Sequence, residues 1–372
     1  MSTYFETTMI VKPYPSQYLV NFHSIPEGVR AFCVDGGLTL VHYITTPPSK
    51  ECFNFRGVVY KGEKVLVKSC PCTPEYVVGV DNVSNILKTK NMDGAVVTLG
   101  VEGTIVRIYF DDGEWRFSTF KNLNAKNSKW CERSPSFGAM FYDCWKSWDF
   151  ETLDKSLCYT FLISHPAGRL VCNIKTPVLY LICVWNSDLG VFVDVDVNHS
   201  NVKKPEEVKC TSEQLIEVVN SVNPLTHSGV VVKLADGSMF KVLNREYYNN
   251  RLIRGNEPNL RIVYFENKKN KTLDKLYELL PEHMEFFNKI EPDLRKTIEN
   301  IKKQHNDHTE YKETLNFIIK VNKICKWKGT AFDYQVEACI RTEPPHVLNA
   351  LVSNYIKQVK KVAYLAKKVN VV

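Results

Sequence analysis

The side chains that could do chemistry in this chain are mostly cations: Arg56, Lys90, Lys121 and Lys241, with one carboxylate, Glu102, beside a glycine. Arg56 precedes Gly57 at the head of the apolar run Val58-Val59-Tyr60. A guanidinium there can hold a phosphate through its planar fork, or pair with a carboxylate as an ordinary strand residue. Lys121 and Lys241 occupy strand positions, where a lysine either faces a cleft or faces solvent on an amphipathic strand. Glu102, before Gly103 at a strand start, reads either as a ligand-binding carboxylate or as a turn carboxylate. Lys90-Asn91-Met92-Asp93-Gly94 sets an amine ahead of an Asp-Gly pair. The string reads as a loop turn with a lysine nearby, or as a lysine nucleophile in waiting.

Metal and thiol chemistry find less support. The 12 cysteines are scattered, and the only close pair, Cys70-Pro71-Cys72, lacks the spacing of a zinc site or a thioredoxin-like motif. The 9 histidines form no His-x-x-x-His, the nearest approach being His305 and His308, so no metal site is expected. The cysteines read as buried small hydrophobes of a chain kept in a reducing, cytosol-like compartment. Tyr109, Phe110, Trp115, Phe117 and Phe120 read either as core and cross-strand pairs or as base-stacking platforms.

The elements that must position these residues change character along the chain. Up to about Phe265 the pattern is strands and turns. Thr104–Phe110 meets Trp115–Ser118 across Asp112-Gly113, and Val230–Leu234 meets Met239–Val242 across Asp236-Gly237, both strong hairpin signals. Leu170-Val171-Cys172 and the Val178–Trp185 run predict further strands, and Ser212–Val222 a helix. Beyond the polar stretch Glu266–Lys271 the period becomes helical. Phe287, Ile290, Leu294, Ile298 and Ile301 recur at three- and four-residue steps, as do Leu348, Leu351, Tyr355, Val359 and Val362; Leu315, Ile318, Ile319 and Ile324 suit another helix. The expectation is an α+β fold: an antiparallel-sheet domain with flanking helices over 1–265, then an all-helical domain over 266–372.

Hydrophobic content of 44% and charged content of 24% over 372 residues are those of a globular protein with room for two domains. No signal peptide is read, and Val178–Trp185 is too short to span a bilayer, so no membrane partner is expected. The net charge of +7 is unevenly placed, with 20 Lys and Arg against 14 Asp and Glu from Glu266 onwards. Such a bias suits a polyanion, and equally a solvated helical surface.

Read in order, three segments resemble the T4 RNA ligase 1-like family of ATP-dependent nucleotidyltransferases, in the diverged form of large nucleocytoplasmic DNA viruses. The first is Phe55-Arg56-Gly57-Val58-Val59-Tyr60 with Val67-Lys68-Ser69-Cys70-Pro71. The second is Val101-Glu102-Gly103-Thr104 leading into the Asp112-Gly113 hairpin and Ser118-Thr119-Phe120-Lys121. The third runs from Cys158-Tyr159-Thr160-Phe161 through Pro166–Val171 and Val178–Trp185 to Gly229-Val230-Val231 and Phe240-Lys241-Val242. Arg254-Gly255-Asn256-Glu257-Pro258, followed by Tyr264, resembles a segment of the viral relatives. The likeness covers roughly residues 50–265, and order and spacing carry it more than any one motif.

The resemblance implies a nucleotidyltransferase fold and a known chemistry. A lysine amine attacks the α-phosphate of ATP, pyrophosphate leaves, and Mg2+ with cationic side chains neutralises the phosphates. Carried over residue by residue, the nucleophile position holds Gly100 and the aspartate of that motif is Glu102. Two expected carboxylates are Leu162 and Ser228, and the partner of Lys241 is Leu243. Arg56 and Lys121 persist, so Arg56, Glu102, Lys121 and Lys241 are the implied nucleotide and phosphate contacts. Three readings follow: a degenerate ligase-like protein that binds nucleotide or RNA ends, an active ligase using Lys90 with ATP and Mg2+, or a structural subunit keeping the fold as scaffold. RNA and ATP are the implied partners, and host cytoplasm or virion the implied place. A helical appendage also follows the catalytic domain of the T4 enzyme, and Lys357, Lys360, Lys361, Lys367 and Lys368 give the last helix a basic face.

Overall fold

The computed structural model describes residues 25–130, 134–307, 312–328 and 330–369, and of 312–313, 327 and 362–369 only the backbone. His308 therefore lies outside the described residues, as do the side chains of Val362, Lys367 and Lys368. The chain divides into two compact units, Met1–Asn249 and Asn250–Val372.

The first unit holds three sheets. Strands β1 (Val29–Asp35), β2 (Leu38–Tyr43), β3 (Val58–Lys61) and β4 (Lys64–Val67) form a four-stranded antiparallel meander. A second four-stranded sheet runs β5 (Glu75–Val77), β14 (Met239–Leu243), β13 (Gly229–Lys233), β6 (Val96–Leu99), with only the β5–β14 pair parallel. The largest sheet orders β11 (Val191–Val193), β10 (Val178–Asn186), β9 (Leu157–Ser164), β7 (Thr104–Asp111) and β8 (Glu114–Ser118); β12 (Val202–Lys203) adds a short parallel pair to β10. Both expected hairpins form. In the first, Asp112 and Gly113 take φ of 52° and 81°, the left-handed pair that a two-residue turn of this hand needs.

Each sheet buries one face. Helix α2 (Phe137–Trp145) packs Phe141 and Trp145 with Phe161 of β9 and Val184 of β10. Helices α1 (Val83–Lys88) and α3 (Leu215–Ser221) cover the second sheet with Val83, Leu87, Leu215 and Val219 against Val230, Phe240 and Val242. The meander closes with Leu38, Leu40, Val59 and Val67 against Tyr109, Cys158 and Trp185. Each cluster removes the apolar half of an alternating strand from water, the main favourable term in folding.

Helix α4 (Arg245–Arg254) passes from the first unit into the second, which is helical as expected: α5 (Leu260–Asn270), α6 (Leu273–Leu279), α7 (Met284–Asn306), α8 (Lys312–Lys328), α9 (Phe332–Thr342) and α10 (Pro345–Val369). The polar stretch Glu266–Lys271 is the end of α5, where Asn267 is buried and Lys271 stops the helix in the left-handed conformation at φ 59°. The stripe of α7 is buried at Phe287, Ile290, Leu294 and Ile301, whereas Ile319 of α8 and Val359 of α10 are exposed. In α8 it is Phe317, Ile318 and Val321 that turn inward.

The structure is thus α+β, with mainly antiparallel sheets followed by helices. One expected strand is absent: Leu170-Val171-Cys172 is a bend, because its backbone N–H groups are taken by a carboxylate described below. No helix among the described residues is long and apolar enough to cross a membrane.

Candidate functional site

Arg107 organises the first part of the site. It sits on β7 opposite Ser118 and Thr160, and is fully buried. Its guanidinium donates to the carbonyls of Gly57 and Thr119, fastening the loop before β3 to the loop after β8. Gly57 makes that join possible. Its φ is 68°, and a Cβ there would stand 2.6 Å from Cα of Phe120.

The join gathers the cations that persist in the sequence. The Arg56 guanidinium lies 4.4 Å from the ring centre of Phe120, that of Arg107 5.4 Å, and the His42 ring is parallel to Phe120 at 6.3 Å. Lys121 follows Phe120, with Nζ 5.4 Å from the Phe32 ring. His42 is 5% exposed and registers this field. Burial first, then the charges of Lys121, Arg56 and Arg107, hold its pKa down at about 3. Its Nδ1 has no hydrogen-bond partner among the described residues, nor has Nε of Arg107. Arg56 and Lys121 are therefore brought together, and Arg107 and His42 join them.

A cleft of about 620 Å³ adjoins this cluster. Its charged lining comprises Lys50, Lys68, Lys90, Lys233 and Asp236, and the exposed Phe192 supplies an aromatic wall. Lys90 Nζ lies 5.9 Å from the Phe240 ring, and Lys68 Nζ 5.2 Å from that of Trp185. Lys68 is half-buried, and desolvation pushes its pKa down. Arg56 donates from NH1 to the carbonyl of Pro71 at 3.4 Å, and Pro71 lines the cleft. The cleft and the cation cluster thus share one wall, residues 70–72.

The other expected contacts lie elsewhere. Glu102 is 7% exposed and does not line the cleft. Oε1 accepts the N–H of Leu170 at 2.6 Å, while Oε2 accepts those of Val171 at 3.0 Å and Cys172 at 3.3 Å and the Tyr247 hydroxyl at 3.0 Å. It therefore serves as the anchor of a bend. Lys241 pairs with Glu75 across β14 and β5, Nζ to Oε1 3.1 Å. Lys90 is the one candidate residue that lines the cleft.

Gly100 and Ser228, the positions of the nucleophile and a carboxylate in the family pattern, are neighbours. They extend the β6–β13 ladder by one residue: Ser228 N–H donates to Gly100 O at 2.8 Å, and its hydroxyl to the same carbonyl at 3.0 Å. A Cβ at Gly100 would meet Ser228 Oγ at 2.5 Å and Gly229 O at 3.2 Å. Leu162 lies on β9 opposite Ile105 and Tyr180.

These donors do not fit a protein-held Mg2+. Leu162 and Ser228 cannot supply carboxylates, Glu102 is engaged by backbone amides, and Asp236 Oδ1 accepts the Ser238 N–H at 2.8 Å. Among the described residues no three His, Cys, Asp or Glu side chains converge on a point.

Sequence reasoning missed Arg107, His42, Lys50, Lys68 and Lys233 as members of the site. For Arg107 a signal existed: a lone charge inside the apolar run Thr104–Phe110. Lys50, Lys68 and Lys233 carry none, since each looks like a surface lysine until the fold closes over it.

No family model matches the chain. It is 24% identical over 290 residues to the immediate-early protein ICP-46 homologue of Invertebrate iridescent virus 3, covering 70% of this chain and 63% of that one. The chain spans about half to just under two thirds of the length of the curated relatives it matches. Among solved structures it is similar to a Naegleria gruberi RNA ligase variant with ATP and Mn, at 17% identity and a TM-score of 0.34, covering 51% of this chain and 64% of that one. A protein classed as an ATP-dependent DNA ligase of Aquifex aeolicus matches at 14% identity and a TM-score of 0.39, covering 75% and 78%.

Proposed function

We propose that this chain is a diverged RNA-ligase-like nucleotidyltransferase that binds a nucleotide, or the phosphorylated end of an RNA, and no longer forms a lysyl adduct at the family position. The observation that carries this reading is Arg56, whose guanidinium joins the four-lysine cleft to the Phe120–His42 cation cluster through Pro71. A volume of about 620 Å³ is within the range of small-ligand sites. Clustered lysines with a single aspartate favour a polyphosphate, and the exposed Phe192 offers a face on which a base can stack. The adduct is disfavoured because a lysine at position 100 would have to displace Ser228 and the Gly229 backbone.

The test is equilibrium binding of ATP and of a 5′-phosphorylated RNA oligonucleotide by calorimetry. Arg56→Ala should weaken both at least about tenfold, the size of one lost charge-assisted contact. Equal affinity in wild type and variant contradicts the reading.

Lys90 supports a second reading, an active ATP-dependent ligase. Its amine lines the cleft and faces Phe240, a position from which it could attack an α-phosphate. Incubation with α-labelled ATP and Mg2+ separates the two. A labelled band that survives denaturation and alkali but not acid, as a lysyl phosphoramidate does, and that is lost in Lys90→Ala favours the enzyme, and its absence favours the binding protein.

A further inference from the structure

Cys70 and Cys183 meet in the cleft wall with their Sγ atoms 3.6 Å apart, and both line the cleft. They come from different elements. Cys70 lies in the connector between β4 and β5, and Cys183 at the bulge of β10 between Leu181 and Cys183. Bonded sulfurs stand about 2.05 Å apart, so an approach of roughly 1.5 Å is needed. The connector, residues 68–74, belongs to no helix or strand and can supply that movement.

The surroundings separate the two thiols. The hydrogen bond shared by the two thiols, with the charge of Arg56, pulls the Cys70 pKa down against the effect of burial, while the same bond and burial push that of Cys183 up. Ser69 Oγ stands 3.9 Å from Cys70 Sγ and accepts from Thr160 Oγ1 at 3.1 Å, and Thr160 lies opposite Cys183 on β9. Burial raises the neighbouring thiols too, Cys158 to about 12 and Cys172 strongly, and what sets Cys70 apart from them is its contact with a second thiol. Lys50, Lys68 and Lys90 line the same cleft and suit a reagent that carries carboxylates.

We propose that Cys70 and Cys183 form a reversible thiol–disulfide site opening onto the cleft, with an anionic small-molecule disulfide of the glutathione class as its oxidant. The Cys70 thiolate attacks one sulfur of oxidised glutathione, forming a mixed disulfide and releasing one glutathione thiolate. That thiolate takes the Cys183 proton. Cys183 then attacks the Cys70 sulfur and expels the second glutathione, which leaves as a thiol with a proton from solvent. Two protein thiols are oxidised and one glutathione disulfide is reduced to two thiols. This site stands independently of what else the cleft binds.

The test treats the full chain under native conditions with oxidised glutathione, quenches in acid, blocks remaining thiols with N-ethylmaleimide and maps peptides by mass spectrometry. The expected first product is the Cys70–Cys183 cross-linked peptide. In Cys183→Ser a glutathione adduct on Cys70 should accumulate, and in Cys70→Ser Cys183 should stay reduced. A wild-type chain in which other cysteines oxidise while Cys70 and Cys183 remain free overturns the proposal. Phenylarsine oxide on the wild type gives a check without substitutions: one arsenical should protect both cysteines from alkylation. Alkylation of both at the untreated rate overturns the proposal equally.

Discussion

Glu102 and Gly100 sit two residues apart, and the fold commits each of them to a structural task. Glu102 has the right chemistry but spends its oxygens on three backbone amides and a phenol. Glu102→Ala should therefore cost about 3–5 kcal/mol in urea denaturation, since it orphans buried donors. Gly100 has no chemistry and no room for any. Gly100→Ala should cost about 1–3 kcal/mol through overpacking against Ser228, with part recovered in Gly100→Ala/Ser228→Gly. His42 gives a pH prediction. Its folded pKa of about 3 lies below the ordinary value near 6.5, so the unfolded chain takes up the proton first as the pH falls. Stability is unaffected by this group above about pH 6.5 and falls progressively between there and about pH 3. Imidazole carbon shifts in NMR should stay neutral down to pH 4, and titration near 6.5 would contradict the account. At this scale the sequence pointed to Arg56 and Lys121, and the fold brings both beside His42. It was silent on Lys68 and Lys233, whose role depends on what the fold brings opposite them.

Elements were legible where turn chemistry pinned them. Asp112-Gly113 and Asp236-Gly237 each fix a hairpin within a few residues, so β7–β8 and β13–β14 form as read. Leu170–Cys172 was misread because its apolar side chains say strand while its amides answer to Glu102, a partner 68 residues away for Leu170. The β3 and β8 flanks show how elements make the site: Arg107 ties the Gly57 and Thr119 carbonyls, and Arg56 and Lys121 ride on those loops. Gly57→Ala should cost about 2–4 kcal/mol, from strain at positive φ and collision with the Phe120 backbone. It should also weaken pyrophosphate binding, read by calorimetry. Unchanged affinity would separate the cluster from the site.

On the scale of the whole molecule, each unit offers a positive surface. In the second, Lys357, Lys360 and Lys361 of α10 are exposed. If they follow a phosphate backbone, the Lys357→Glu/Lys360→Glu/Lys361→Glu variant should bind RNA less tightly, with a shallower dependence of log affinity on log salt, and bind ATP unchanged. Loss of ATP binding in that variant would place the nucleotide outside the cleft of the first unit. The central claim, that phosphate binding persists without covalent transfer, is tested most directly by mass spectrometry of the full chain with ATP and Mg2+, sprayed under native and then denaturing conditions. The account predicts one nucleotide retained in the native spectrum and lost on denaturation. A nucleotidyl mass that survives denaturation, or a native spectrum with no bound nucleotide, contradicts it.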